Sequence, residues 1–411
     1  FDLGLWMIDE KLNIKSALQS KNLKRLLRKV QADFILVPSV RTVKGKMALG
    51  YKLVSVVDGS LKKQSTILSD NLPAPDAPRE RERGTQTSFN QKKELFKFVG
   101  KQEFPYEIID FDVGDLNGDG KNEFVLIDRY RVMIFENKKG RLKKISTVKT
   151  SKIANHFLAV DVGDINGNGR DEIFVTNQVG DKLQSFALET RPKQKGFHYK
   201  WKDANLYFRI IQPMGKRPIL MSQSPGYQDP FEGPIKRVLF KNGKYRQGRK
   251  LNTPDIYGTH FILYGLTQQD LNGNGITETI VLDNKYHLRV YSSNGRLVVK
   301  SSDYYGHDPR LIEVGVQEDI AGVVRQGDPV RFKGRLQFVK FAGKRFLVLP
   351  RNYNSGDGFL DNLVIVESSG LVALRVTGEG FEKAFESSKQ KGFLGTYRVI
   401  PHKKGAGVYV L

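Results

Sequence analysis

Asp115-Leu-Asn-Gly-Asp-Gly-Lys-Asn-Glu123, followed at once by the apolar run Phe124-Val-Leu-Ile-Asp128, is the stretch on which the reading turns. Oxygen-bearing side chains stand at its first, third, fifth and ninth positions: Asp115, Asn117, Asp119 and Glu123. Alternate residues of a tight loop point inward together, and a hard cation such as Ca2+ takes six to eight oxygens at about 2.3–2.6 Å. Gly120 allows the sharp turn that a side chain would obstruct. The main-chain carbonyl of Lys121 is the ligand expected at position seven. A hairpin turn of Asn, Asp and Gly without a metal is the competing interpretation, and repetition argues against it.

Asp164-Ile-Asn-Gly-Asn-Gly-Arg-Asp-Glu172 precedes Ile173-Phe-Val-Thr176, and Asp270-Leu-Asn-Gly-Asn-Gly-Ile-Thr-Glu278 precedes Thr279-Ile-Val-Leu282. The second loop therefore offers Asp164, Asn166, Asn168, Glu172 and the Arg170 carbonyl; the third offers Asp270, Asn272, Asn274, Glu278 and the Ile276 carbonyl. The loops start at residues 115, 164 and 270, so the gaps are 49 and 106 residues, the second about twice the first. A fixed period of about 20–50 residues marks a repeat architecture and predicts a unit hidden in the longer gap. Pro213-Met-Gly-Lys-Arg217 before Pro218-Ile-Leu-Met221 fills that place. Phe341-Ala-Gly-Lys-Arg345 before Phe346-Leu-Val-Leu349, and His402-Lys-Lys-Gly405 before Val408-Tyr-Val-Leu411, follow the same plan. In these units a short basic turn replaces the acidic loop, and a lysine cannot ligate a cation. Three calcium sites are expected, the first tightest because it carries three acidic ligands against two in each of the others.

The pattern D-x-[DN]-x-[DN]-G-x-x-E before an apolar strand, recurring about every fifty residues, resembles the FG-GAP/VCBS repeats of integrin-like β-propellers. That resemblance covers roughly residues 95–411 and implies one four-stranded blade per repeat, with the cation loop between the first two strands. The phenylalanine-glycine and glycine-alanine-proline signatures of the integrin repeats are absent. Leu95-Phe-Lys-Phe-Val99 is expected to complete a last blade with strands around 395–400 and 407–411. The fold expected is mainly β: a six-bladed propeller, or seven-bladed if residues 304–333, read as an insertion, form a degenerate blade.

Residues 1–70 differ from the rest. Leu23, Leu26, Leu27 and Val30 have the spacing of an amphipathic helix, with Ser20 as its cap. Strands are expected at about 33–43, 47–57 and 61–68, separated by Lys44-Gly45-Lys46 and Asp58-Gly59. This small α+β module, with Ala32-Asp-Phe-Ile-Leu-Val37 and Leu53-Val-Ser-Val-Val-Asp-Gly59, resembles the N-terminal domain of TolB-like envelope proteins. Residues 71–93, with Pro73, Pro75, Pro78 and the charge run Arg79-Glu-Arg-Glu-Arg83, read as a linker. The propeller takes residues 94–411.

Composition bounds the function. The 411 residues hold 67 Lys and Arg against 44 Asp and Glu, a net charge of +23, which favours acidic partners. No recognition helix or aromatic nucleic-acid strand accompanies that charge, so sequence-specific nucleic-acid binding is not expected. There is no cysteine, which excludes disulfides and thiol catalysis in this span. No run approaches the eighteen or so apolar residues of a membrane span. Phe1 is not an initiator methionine, and a signal peptide or lipidated cysteine upstream is left open. The six histidines form no metalloprotease motif, there is no G-x-S-x-G elbow, and His260 reads as an inward strand residue. Asp161 and Asp164 read as the approach to a loop and its first ligand rather than as an acid–base pair.

The expected function is a non-catalytic, calcium-binding propeller of the cell envelope, outside the cytoplasm, that serves as a scaffold for a protein or glycan partner. Asparagine-containing loops suit the 10⁻⁴–10⁻³ M range of extracellular calcium modules. The 304–333 insertion and Asn352-Tyr-Asn-Ser-Gly-Asp-Gly358 are the candidate partner surfaces. Two alternatives stand beside it: a carbohydrate-binding or polysaccharide-degrading propeller, and a charge-driven binder of anionic polymers or lipid surfaces.

Overall fold

The computed structural model describes residues 34–43, 46–55, 61–68 and 99–411, except 151–154, 181, 192–195, 227–229, 232, 252–261, 307, 309, 313–316, 319–323, 326–329, 342, 355–365, 378–379 and 403–404. The chain divides into two compact units, Phe1–Asn90 and Gln91–Leu411. In the first, strands β1 (Phe34–Val43), β2 (Lys46–Ser55) and β3 (Leu61–Leu68) form an antiparallel meander. The helix expected over residues 20–30 and the linker 71–93 lie outside the described residues. Among the described residues the one helical element is a single 3-10 turn, Leu263–Gly265, and no helix is long and apolar enough to cross a membrane.

The second unit is a β-propeller in which five blades are formed. The first blade is β4 (Asp110–Gly114), β5 (Glu123–Ile127), β6 (Arg131–Lys138) and β7 (Arg141–Lys149), paired in that order. The second has β8 (His156–Gly163), β9 (Glu172–Val179), the two-residue β10 (Lys182–Leu183), β11 (Ser185–Thr190) and β12 (Phe197–Ala204). The third comprises β13 (Tyr207–Ile211), β14 (Ile219–Gln223), β15 (Ile235–Lys241) and β16 (Lys244–Lys250). The fourth comprises β17 (Leu266–Gln269), β18 (Glu278–Leu282), β19 (His287–Tyr291) and β20 (Leu297–Tyr304). After the short ladders of β21 (Leu311–Ile312) with β24 (Val330–Arg331) and β22 (Gln317–Glu318) with β23 (Val324–Arg325) comes the fifth. It is built from β25 (Gln337–Phe341), β26 (Lys344–Asn354), β27 (Val366–Val376), β28 (Phe381–Glu386) and β29 (Gln390–Lys391). A final hairpin pairs β30 (Tyr397–His402) with β31 (Gly405–Val410).

Among the described residues five blades are present as sheets of four or more strands, where six or seven were expected. The described residues of 304–333 form two-residue ladders, and those of the last unit form two paired strands. Val99, expected to end a completing strand, is outside any strand and 94% exposed; residues 95–98 lie outside the described residues.

The second strand of each loop-bearing blade is buried along all or most of its length, because both of its faces meet a neighbour. In β5, Val125 and Ile127 pack with Val160, Val162, Ile173 and Val175 of the second blade, while Phe124 and Leu126 turn the other way. There they meet Ile400, Tyr409 and Leu411 of the terminal hairpin, Phe124 and Tyr409 edge-on at 4.8 Å. Further apolar clusters join the second blade to the third through Phe174 and Phe208, and the fourth to the fifth through Leu282 and Leu349. The other face of the terminal hairpin, Tyr397 and Val399, packs on Phe346 and Val348 of the fifth. Burying such a side chain contributes about 1.5–3 kcal/mol, so these inter-blade wedges dominate cohesion.

Candidate metal centres

The three acidic loops fold alike. In the first, Asp115 Oδ1 accepts the N–H groups of Gly118 (2.7 Å) and Asp119 (3.1 Å), and its Oδ2 accepts that of Gly120 (2.7 Å). Asn117 Oδ1 accepts from the Asp119 N–H and Asp119 Oδ1 from the Lys121 N–H, each at 2.8 Å. Asp164 receives the Gly167 and Gly169 amides, and Asn166 and Asn168 receive those of Asn168 and Arg170. Asp270 receives Gly273 and Gly275, while Asn272 and Asn274 receive Asn274 and Ile276. Gly118 and Gly120 sit at φ 79° and 80°, with matching left-handed pairs in the other loops. This is a region L-residues avoid.

The ninth-position glutamates are the buried members. Glu123, Glu172 and Glu278 each accept the N–H of the loop's second residue, Leu116 (3.0 Å), Ile165 (2.9 Å) and Leu271 (2.9 Å). Each also accepts from the third-position amide, Asn117, Asn166 and Asn272. Burial, reinforced by Asp119, Asp115 and Asp171, pushes Glu123 up to about 7 despite the Leu116 N–H. Burial, with Glu189 and Asp164 adding to it, pushes Glu172 up to about 8. Hard oxygens on a shared backbone, beside buried carboxylates short of positive charge, fit a divalent cation in donor chemistry. Among the described residues, however, no group of three or more His, Cys, Asp or Glu is gathered at metal distance, because the loop carboxylates are turned to their own amides.

The surroundings distinguish the loops. Asp171 of the second loop ties back to the first: its Oδ2 accepts the Asp115 N–H and its own N–H donates to the Asp115 carbonyl, both at 2.8 Å. Burial pushes Asp171 up to about 6. The second loop has an added buried carboxylate, Glu189 of β11, which accepts from Asn166 Nδ2 (2.8 Å) and Asn168 Nδ2 (2.5 Å). Lys200 (3.5 Å), His198 (3.7 Å) and Arg170 (3.8 Å) surround Glu189. The third loop is held by the basic turns of its neighbours. Lys216 Nζ donates to the Gly275 carbonyl (3.2 Å), and the Arg345 guanidinium donates to the Asp270 and Leu271 carbonyls.

Asp161 belongs to a different site from the one expected. It is 1% exposed in β8 and faces inward, not on the approach to the loop. Arg335 Nη1 donates to its Oδ1 at 2.7 Å, and Arg209 Nη1 lies 3.6 Å away. Arg398 of the terminal hairpin makes a two-pronged ion pair with Asp112, and Arg335 lies 3.8 Å from the same carboxylate. These carboxylates also satisfy edge amides of the next blade's first strand. Asp110, Asp112 and Asp161 accept the N–H groups of Val160, Val162 and Ile210 at 3.1, 2.8 and 3.1 Å. Burial opposes ionisation of Asp112, but the Arg398 and Arg335 charges outweigh it and hold it below the usual carboxylate range. Burial and Arg335 pull Arg209 down to about 10, against Asp161 and Asp110. Its guanidinium lies over the Tyr264 ring at 4.7 Å. The sequence signal was an aspartate three residues before the loop's first ligand, Asp112 before Asp115 and Asp161 before Asp164.

Several described residues of the expected partner loops pack into the fold. Within 304–333, Tyr305, Ile312 and Phe332 are buried, and Phe332 stacks on Tyr264 at 4.3 Å. Arg310 donates to the carbonyls of Ile109 (3.2 Å) and Gly395 (2.8 Å), bridging the two ends of the ring. Asn352 is buried and exchanges hydrogen bonds with Leu394; residues 355–358 and His260 lie outside the described residues.

Residues 115–175, which span the first two loops, match the FG-GAP-like repeat family. The curated proteins contain no match. Among solved structures, the Dos1 propeller aligns at 7% identity over 86% of this chain and 70% of its own, with a TM-score of 0.32. BBS1N in complex with ARL6DN aligns at 10% identity over 73% of this chain and 88% of its own (TM-score 0.36). A putative oxidoreductase (glucose dehydrogenase) from Thermus thermophilus aligns at 14% identity over 73% and 93% (TM-score 0.33). The bladed sheets make the second unit a β-propeller, and residues 115–175 in its first two blades are similar to FG-GAP-like repeats.

Proposed function

We propose that this chain is a calcium-stabilised propeller that works outside the cytoplasm as a non-catalytic interaction scaffold. The observation that carries the reading is the threefold recurrence of one loop whose ninth-position glutamate is buried against the same main-chain amide. Asp115, Asn117, Asp119, Glu123 and the Lys121 carbonyl would hold the first ion, with the corresponding residues of the other loops holding two more. The ion would supply the positive charge that the buried glutamates lack, and it would pin the first strand of a blade to the second. Affinities near 10⁻⁴–10⁻³ M would keep the sites filled in calcium-rich surroundings and not in cytoplasm.

We also infer that β30–β31 is the core of a sixth blade. Its Tyr397 and Val399 pack on the fifth blade, and its Ile400 and Tyr409 pack on the first. Gln337 of β25 exchanges two hydrogen bonds with the backbone of Val399. The separate unit at residues 1–90 would then be an appended module.

Thermal unfolding of EDTA-treated full chain, with and without 2 mM Ca2+, tests the reading. A site of about 0.2 mM Kd adds roughly 1.4 kcal/mol and a tenfold weaker one about 0.4 kcal/mol, so the loops together give a Tm gain of several degrees. An unchanged Tm would overturn it.

A further inference from the structure

We propose that Glu189 of β11 is a ligand of the cation in the second loop, which makes that site a clamp on β8, β9 and β11; this deepens the calcium reading and rests on it. The loop itself offers five donor groups, the side chains of Asp164, Asn166, Asn168 and Glu172 and the Arg170 carbonyl. Calcium takes six to eight oxygens, so the rest must come from a bidentate carboxylate, water or a neighbouring strand. Glu189 is in position to supply one. It is 2% exposed, and its Oε1 accepts from Asn166 Nδ2 at 2.8 Å and from Asn168 Nδ2 at 2.5 Å. Asn166 Nδ2 also donates to Glu172 Oε1. Two buried carboxylates therefore converge on one neutral amide, among the residues expected to hold the ion.

Register brings the two glutamates together. Leu188 pairs with Ile173, so Glu189 comes opposite Glu172 on the same face of the sheet. Like charges directly opposite each other are destabilising, and burial removes the water that would screen them. The other two loops lack this arrangement. In the first blade Glu136 stands opposite Glu123, but 34% of its side chain is exposed and it pairs with Lys138 at 2.8 Å. In the fourth, Thr279 pairs with Tyr291, which puts Ser292 opposite Glu278. Of the three, the second blade alone buries this glutamate against the side chains of the loop.

The competing account is that Lys200 and Arg170 neutralise Glu189. They stand at 3.5 and 3.8 Å, beyond the roughly 2.7–2.9 Å of a charge-assisted hydrogen bond, and both are partly exposed. A further buried group points to an ion. Tyr245 of β16 is 7% exposed, and its hydroxyl lies beside Glu172, close enough to Glu189 and Asp164 to feel their charge. That hydroxyl is buried and makes no hydrogen bond of normal geometry. Three carboxylates around two neutral amides and a phenol lack the positive charge that a divalent ion supplies. The amides space the carboxylates, and an ion at that point would take their role.

The test isolates the second site in a parent protein, the full chain carrying Trp6→Phe, Asp115→Ala and Asp270→Ala, with Ca2+ and Tb3+ as probes. Trp201 is then the one tryptophan, and it stacks on Tyr245 at 5.6 Å, so Tb3+ emission excited through it reports the second loop. Glu189→Gln should weaken Ca2+ binding there by roughly tenfold or more. It should also raise the number of waters on bound Tb3+ by about one, read from emission lifetimes in H2O and D2O. Glu189→Asp keeps the charge on a shorter arm and should show the same gain of water with a smaller loss of affinity. Glu136→Gln, read by calorimetry at the first site in an Asp164→Ala, Asp270→Ala background, should change affinity less than about twofold. An unchanged water count in both Glu189 variants would overturn the proposal whatever the affinity, because Glu189 would then act from outside the coordination sphere. A parent that takes up neither probe at the second loop would overturn the calcium reading with it; a parent that binds while its variants keep the same water count sinks this ligand alone.

Discussion

Replacing Asp161 with asparagine isolates the charge at the centre of the ring. Three carboxylates, Asp110, Asp112 and Asp161, face three guanidiniums, Arg209, Arg335 and Arg398, so the buried group is neutral. Asparagine keeps an oxygen for the Ile210 N–H, which Asp161 accepts at 3.1 Å, and it keeps nearly the same volume. It removes only the negative charge that Arg335 meets at 2.7 Å and Arg209 at 3.6 Å. One buried guanidinium is then uncompensated, which costs about 3–5 kcal/mol. At 1.4 kcal/mol per decade this is a fall of roughly two to three and a half orders of magnitude in the folding constant. Urea unfolding followed by Trp201 fluorescence in a Trp6→Phe background reports on the propeller alone, because Trp201 stacks on Tyr245 in its core. Asp161→Asn with Arg335→Met should recover much of the loss, since it restores neutrality. A single-variant loss below about 1 kcal/mol, or a double variant less stable than either single one, would refute the balanced-hub argument.

Lys333 titrates in the opposite sense. Burial pulls it from 10.5 down to about 8, with Asp283 and Asp308 opposing. Between those values the unfolded chain binds the extra proton, so stability should rise with pH from about 8 to 10.5; below 8 the full cost, of order 3 kcal/mol, is present. Lys333→Met should be the more stable protein at pH 7, and the gap should close by pH 10.5 in paired urea titrations. Gly114→Ala should destabilise by about 1–3 kcal/mol, because the added Cβ would lie 2.3 Å from Asp171 Oδ2 and 2.5 Å from Val162 Cγ1. Arg398→Met should loosen the ring at its closure and raise hydrogen exchange in β30–β31 and β4 before the other blades respond.

The loops were legible because each closes on its own amides, which puts oxygens at set positions and glycines at left-handed φ values, so the pattern survives in one dimension. Their repetition then implied a ring of blades. The hub was not legible: Arg335 meets Asp161 across 174 residues and Arg398 meets Asp112 across 286, and only closure of the ring brings them together. Asp161 looked like part of the loop because it stands three residues before Asp164, but strand alternation turns the two side chains into different environments. The basic turns were recognised as replacements for acidic loops. Their reach into the third loop through Lys216 and Arg345 depends on how neighbouring blades are placed. Asn352 read as loop and is a buried clasp, because β26 runs on to Asn354.

Those neighbours also set the order in which the loops should take calcium. Ligand charge alone ranks the first loop, with Asp115, Asp119 and Glu123, above two equal ones. The structure breaks the tie. The second loop gains the buried Glu189 within 2.8 Å of Asn166, partly offset by Lys200 and Arg170. The third gains no acid and holds two cations, Lys216 on Gly275 and Arg345 on Asp270 and Leu271. A positive charge this near a divalent ion opposes binding by on the order of 1 kcal/mol in a solvent-exposed loop. The third site should therefore be weakest, by about tenfold, and Arg345→Gln should strengthen it selectively. Calcium calorimetry on Asp115→Ala, Asp164→Ala and Asp270→Ala would assign the sites in turn. If Asp270→Ala removed the tightest site, neighbouring basic turns would not be what tunes these loops.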